Sequence, residues 1–243
     1  MTARRQVDFV LASASPARYA LLRSAGLSPE VIVSAVDEHA VAALLDPGAP
    51  TAVVVAELAV AKARDVAAGL GDVAALVLGC DSLLDLDGVA LGKPGDAETA
   101  AARWRDMRGR TGTLHTGHCL IDIGTGRELA RTAATTVHFA DISDAEIELY
   151  AATGEPAAVA GAFTVDGLGG WFVDAVHGDH HNVIGLSLPL LRRMLAELGY
   201  GLSDVGYPAG YPEPASSSSA SSSASAADAA AGSATRAHGS TVV

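Results

Sequence analysis

"VLGCDSLLDLDGVALGKPGD", residues 77–96, carries three signals in succession. An apolar run ends on Asp81, which reads as a buried strand that delivers a carboxylate. "DLDGVALG" then reads as a hairpin turned at Asp87-Gly88, since Asp-Gly suits a tight turn that needs positive φ at both central residues. A lysine follows, beside Gly92 and Pro94. The chain has one other lysine, Lys62, against fourteen arginines. A buried strand that turns back on itself sets antiparallel pairing in mid-chain, and its flanks decide the rest.

Upstream, "VDFVLAS" reads as a strand and "SPARYALLRSAG" as a helix, with serine before proline at its start and glycine past its end. "EVIVSAV" reads as a second strand, and "TAVVVAELAVAKARDVAAG" as a helix opened by Thr51. Downstream, "DAETAAARWRDMRG" is a helix ending at Gly109. Strands around 112–123 and 128–140 follow, with "GTGRE" between them. "SDAEIELYAATG" is a helix with Ser143 and Glu146 as a capping box. "WFVDAVHG" resembles a strand, and "SLPLLRRMLAELG" is a closing helix. Crossovers and hairpins together predict an α/β chain with a mixed sheet.

The folded domain is expected over residues 1–206. From Tyr207 the sequence turns to proline, serine, alanine and glycine without apolar periodicity, so 207–243 reads as a disordered Ser/Ala-rich tail. The 243 residues are 49% hydrophobic with a mean hydropathy of +0.29, enough for one sizeable core. No apolar run is long and uncharged enough to span a bilayer. The basic residues of "MTARRQVDFVLASAS" precede an apolar run that breaks at Ser13 and Pro16, which favours a first strand over a secretion signal. Cys80 and Cys119 are too few for a disulfide framework, so a reducing cytoplasm is expected. A net charge of −12 disfavours general nucleic-acid binding, and no polybasic membrane patch is present. An anionic ligand would need local cations or a metal to overcome that field.

Several constellations could supply them. In "LASASPARYALLRSAG" a strand ends in a small-residue loop and a helix starts at proline; Ser13, Ser15 and Arg18 could add donors for phosphate. An ordinary capped helix would explain this stretch equally. In "SAVDEH" Asp37 and Glu38 lie just beyond a strand, at the sheet edge expected for the first loop, where a carboxylate could hold a divalent cation. Lysine suits phosphate oxygens in a crowded site, being a compact charge where the planar guanidinium does not fit. "LLDLDGVALG" imitates the first motif of haloacid-dehalogenase phosphatases, with Asp85 as nucleophile and Asp87 as acid. No lysine follows Lys93, however, some eighty residues precede the motif, and a hairpin accounts for it. "HGDHH", with His177, His180 and His181, fits no zinc template.

Seven ordered segments together resemble an actinobacterial-like member of the Maf family of nucleotide pyrophosphatases, from Val10 to about Leu198. They are "LASASPARYALLRSAGL", "VSAVDE", "AVAKA", "GCDSLLDLDGVALGKP", "GRTGTLHTG", "YAATGEPAAVAGAFTVDGLGGWF" and "NVIGLSLPLL". The resemblance implies an elongated α/β fold with two lobes around a cleft, similar to the inosine-triphosphate pyrophosphatase fold. It implies hydrolysis of a nucleoside triphosphate between the α and β phosphates, a divalent metal (magnesium or manganese), and dimerisation. By analogy Asp81 is the proton acceptor and, with Glu38, the metal-linked acid. Lys62 and Lys93 match the phosphate lysines, and Ser13, Ser15 and Arg18 match the first loop. A role in removing non-canonical nucleotides follows from the family; the rival is a non-enzymatic, nucleotide-binding regulator of cell division.

Three positions depart from the pattern. The branch selective for dTTP and UTP reads Ser-Pro-Arg-Arg in the first loop, threonine after the catalytic aspartate, and glutamine before the glycine of the late loop. Here those places hold Ala17, Ser82 and Asp166. The 7-methyl-GTP branch has glutamine after the aspartate and glutamate in the late loop. The chain matches neither set, which makes these three the candidates for base specificity.

Overall fold

The strand read from the opening stretch is β3 (Ala75–Leu86), twelve residues long and buried without interruption from Ala75 to Asp81. The computed structural model describes residues 7–206; the tail expected over 207–243 lies outside them. Before β3 come β1 (Asp8–Ala12), α1 (Pro16–Ser24), β2 (Glu30–Val31), α2 (Glu38–Ala43) and α3 (Thr51–Leu70). After it come β4 (Val89–Leu91), α4 (Ala97–Met107), β5 (Thr111–Asp122), β6 (Arg127–Phe139), α5 (Asp144–Ala152), β7 (Val173–His177), α6 (His180–Ile184) and α7 (Leu188–Leu198). Short 3₁₀ turns occupy Pro156–Ala158, Ala160–Ala162, Leu168–Phe172 and Leu202–Val205.

Among the described residues the strands form one mixed seven-stranded sheet in the order β2-β1-β3-β5-β6-β7, with β4 also on β3. β1 runs parallel to both β2 and β3, while β4 to β7 pair antiparallel. This is the α/β mixed sheet expected from combined crossovers and hairpins. β1 pairs with Ala75–Gly79, and β4, on the same edge of β3, pairs with Leu84–Leu86. Among the described residues, 80–83 therefore have no strand on that edge, and the sheet is notched at its most buried strand.

The apolar packing follows the notch. Leu76, Leu78 and Cys80 face a core closed by α1 and α7, through Leu22, Leu191 and Met194. Further along the same face, Leu84 and Leu86 enter a second core with Trp104, Met107, Phe139, Tyr150 and Phe163. Since side chains alternate along a strand, Ser82 falls between the two cores. Val77, Gly79 and Asp81 point to the opposite face, under α3, where Val10, Ala59 and Ala63 complete a third cluster.

α3 approaches that face unusually closely because two strand positions lack side chains. A Cβ on Gly79 would lie 2.3 Å from the carbonyl oxygen of Ala59, and one on Gly117 2.0 Å from that of Val55. Gly117 pairs with Asp81 across β3 and β5. The glycines thus lower the helix onto the sheet beside Asp81, and Lys62 leaves the helix at that level.

The Asp87-Gly88 turn forms as expected, with φ of 52° and 84°. Two local expectations change, at the second strand and at "WFVDAVHG", while α3 opens at Thr51 as expected. Only Glu30–Val31 of "EVIVSAV" pair, because β1 ends at Ala12 and the chain then turns away as an unpaired segment. Thr51 is the first residue inside α3 and makes no cap; Pro50 holds the cap position, and the Thr51 hydroxyl donates to Asp85 instead. In "WFVDAVHG" Trp171 and Phe172 belong to a 3₁₀ turn, with Phe172 packed against Trp104 and Tyr150, so the strand starts at Val173. Among the described residues no helix is long and apolar enough to cross a membrane.

Candidate active site at the notch in the sheet

Two polar clusters meet at residues 81 and 82, one on each face of β3. On the α3 face, the ammonium of Lys62 donates to Oδ1 of Asp81 at 2.6 Å and to Oε1 of Glu38 at 2.7 Å. Lys62 and Asp81 are buried, whereas Glu38, the first residue of α2, is half exposed. Asp37 caps that helix by accepting from the N–H groups of His39 and Ala40, which leaves Glu38 as the acid turned to Lys62. Burial pushes the Glu38 carboxyl up, but the hydrogen bond and charge of Lys62, with Lys93 and Arg18 behind it, outweigh burial. The net pKa lies below the usual value, so Glu38 is an anion. Lys93 is exposed and, among the described residues, makes no hydrogen bond or ion pair; its charge reaches the group through Glu38.

On the other face Arg18 is buried at 9% exposure, a depth at which an arginine normally has a carboxylate partner. Arg18 has none. Its Nε donates to the Gly185 carbonyl at 2.7 Å, one Nη donates to Ser13 Oγ and the Cys80 carbonyl at 3.0 Å each, and the other donates to Ser82 Oγ at 2.9 Å. The Cys80 carbonyl is available because the notch removes its strand partner. All four acceptors are neutral, so the guanidinium is desolvated without being neutralised.

The hydroxyls of the first loop have protons left over. Ser13 Oγ accepts both from Arg18 and from the N–H of Ser15 at 3.2 Å, which fills its lone pairs. Ser15 Oγ caps α1 by accepting from the Arg18 N–H at 3.4 Å. Neither serine donates to a protein acceptor among the described residues. Arg18 uses four of its five N–H groups and Lys62 two of its three, so donors without acceptors converge on the notch.

The structure therefore brings Ser13, Ser15, Arg18, Glu38, Lys62, Asp81 and Ser82 together, with Lys93 near enough to act on Glu38. Ala17 lies half buried in the first turn of α1. Asp166 is exposed, accepts from the Thr164 hydroxyl, and bonds to none of the cluster. Asp85 is committed elsewhere: Oδ1 accepts from the N–H of Gly88 at 2.8 Å and Oδ2 from Thr51 at 2.6 Å. Asp87 pairs with Arg110. The hairpin pair is thus structural, as the rejection of the phosphatase motif anticipated. In "HGDHH", Asp179 caps α6 and accepts from His181, and the rings of His180 and His181 lie 3.8 Å apart.

Sequence reasoning missed Thr116 and the carbonyls of Cys80, Asn182 and Gly185. Thr116 is wholly buried and sits across from Ser82, with the two hydroxyls 2.9 Å apart. Its signal was the register of β5 against β3, fixable only once both strands are paired. A backbone carbonyl has no signature in the residue type at all.

Comparison with known proteins finds relatives over most of the described chain. The profile described as Maf-like protein matches residues 8–198. A nucleoside triphosphate pyrophosphatase of Streptomyces coelicolor is 58% identical over 210 residues, covering 86% of this chain and 99% of that protein. One of the same name from Rhodococcus jostii is 54% identical over 211 residues, covering 84% of this chain and 98% of the relative. Another, from Salinispora tropica, is 53% identical over 201 residues, covering 82% and 87%.

Proposed function

The chain belongs to the Maf family, and from that premise we propose that it hydrolyses nucleoside triphosphates between the α and β phosphates, releasing a nucleoside monophosphate and pyrophosphate. The observation that carries this reading is Arg18, a buried cation held only by neutral acceptors. Such a group is stable where an anion completes it, and a polyphosphate does so. The free hydroxyl protons of Ser13 and Ser15 and the third N–H of Lys62 suit the same oxygens. Lys93, exposed at the mouth of the site, adds a mobile charge for the outer phosphates.

Phosphoanhydride hydrolysis needs charge neutralised and water aligned more than it needs covalent chemistry. Asp81 takes the proton of the attacking water as one water is added across the α–β bond. Lys62 holds the Asp81 carboxylate in place through Oδ1. Glu38 and Asp81 present hard oxygens to one small region, already bridged by a single ammonium, and that donor set fits magnesium or manganese shared with phosphate oxygens. Such an ion would neutralise phosphate charge and acidify water. Clearing non-canonical nucleotides, in the cytoplasm and as a homodimer, is the biological setting that the family supports; Ala17, Ser82 and Asp166 are the positions weighed for base choice.

The test is a nucleotide panel with magnesium or manganese, scored for pyrophosphate against orthophosphate. Stoichiometric pyrophosphate and nucleoside monophosphate are expected. Orthophosphate as the sole released phosphate, or binding of nucleotides without turnover, overturns the proposal.

A further inference from the structure

The hydroxyl of Ser82 belongs to a closed circuit of hydrogen bonds around Arg18. The Thr116 hydroxyl lies 3.2 Å from the Asn182 carbonyl, which cannot donate, so the single Thr116 proton goes there. Ser82 must then supply the proton of the 2.9 Å bond between the two hydroxyls, while it accepts from Nη of Arg18. The same Asn182 carbonyl accepts the N–H of Gly185 at 3.0 Å, and the Gly185 carbonyl accepts Nε of Arg18. The circuit runs from Arg18 to Ser82, Thr116, Asn182 and Gly185 and back to Arg18, joining α1, β3, β5 and α6. Gly185, at φ +117°, closes it from the far side: a Cβ there would meet Nε of Arg18 at 3.2 Å and Ser82 Oγ at 3.6 Å.

Every hydroxyl proton of this circuit has its place. Ser82 has none to offer a ligand, and Thr116 is inaccessible. Arg18 has one N–H left, on the nitrogen that Ser82 holds. We infer that Ser82 and Thr116 are positioning residues that aim the last N–H of Arg18 at phosphate, and that Ser82 does not discriminate between bases. The inference rests on the phosphate site proposed above and assigns within it a residue pair that acts on any nucleotide alike.

The test uses inorganic pyrophosphate, a ligand without a base, measured by calorimetry on the full chain. Ser82→Ala and Thr116→Val should each weaken pyrophosphate binding roughly tenfold, the scale of one hydrogen bond to a charged group. The double variant should be no weaker than either single one, because both cut the same circuit. Ser82→Thr should restore binding. In the nucleotide panel, Ser82→Ala should raise KM for all nucleotides by one common factor and leave their ranking unchanged. Additive losses, pyrophosphate binding within about twofold of the parent, or a reordered nucleotide preference would each overturn the inference. If Ser82→Ala fails to fold, Thr116→Val against Thr116→Ser makes the same cut, with a thermal melt as control. Pyrophosphate binding does not depend on turnover, so failure of the hydrolysis proposal would be visible separately.

Discussion

Lys62 Nζ and Asp81 Oδ1 lie 2.6 Å apart beneath α3, and the same ammonium also holds Glu38. One cation thus keeps a buried carboxylate and a half-exposed one together, and removing it leaves like charges facing each other. Lys62→Met is expected to lower kcat at least about a hundredfold, the scale of losing an aligned electrostatic group. Lysine is specific here, since arginine cannot fit a planar fork between two acids under a helix that touches the sheet. Lys62→Arg should therefore rescue little. The Glu38 carboxyl, no longer held down by Lys62, should titrate higher, so the acidic limb of the pH–rate profile should move to higher pH. Steady-state rates across pH on the three proteins check this.

Asp81 and Asp85 are four residues apart on one strand and have different partners, and the proposed reaction gives only Asp81 a part in the chemistry. Asp81→Asn should cost about 10²–10⁴ in kcat as a general base is lost, with pyrophosphate binding retained. Asp85→Asn should leave kcat within a few-fold while lowering the melting temperature, because Asp85 ties the hairpin to the start of α3. Turnover unchanged in Asp81→Asn would remove Asp81 as the base.

Much of this was legible in the sequence because period and punctuation were strong. The Asp-Gly hairpin, the Ser143–Glu146 box and the run into Asp81 each rest on a local pattern, and each element formed. The rarity of lysine singled out Lys62, which the fold makes the buried partner of Asp81. What stayed hidden depends on pairing across distance. That β1 and β4 leave residues 80–83 open follows from register, and so does the meeting of Thr116 with Ser82. "EVIVSAV" looked like a full strand because its composition is right, but composition does not reveal that β1 is too short to pair with it.

Gly79 and Gly117 are expected to be intolerant of any side chain. A methyl at either position meets a backbone carbonyl of α3, which cannot move aside as a flexible side chain could. Gly79→Ala and Gly117→Ala should each destabilise by about 1–3 kcal/mol, the range for overpacking a well-filled core. They should also raise the helix off Asp81 and so lower kcat. Denaturant unfolding gives the first effect and kinetics below the melting temperature the second. Gly126, at a turn with open space around it, is the control whose replacement should leave kcat unchanged.

Stability should fall in mild acid because of His118. The ring is fully buried, its Nε2 accepts the N–H of Ser187 at 2.8 Å, and its Nδ1 donates to the Thr116 carbonyl at 3.0 Å. Burial, ahead of the other influences, pushes its pKa down from 6.5 to about 4. Between those values the unfolded chain binds a proton that the folded protein refuses, so stability rises with pH across the window. The contribution is complete above the unfolded pKa and is lost as pH falls towards the folded one. From pH 7 to pH 5 this single group should remove about 2 kcal/mol, taking roughly 1.4 kcal/mol per pH unit. The loss has a structural cause, since a protonated Nε2 cannot accept from Ser187, the cap of α7. Urea unfolding at the two pH values should show it, and His118→Gln, which does not titrate, should flatten this part of the pH dependence. An equal loss in His118→Gln would assign the acid sensitivity to the carboxylates instead.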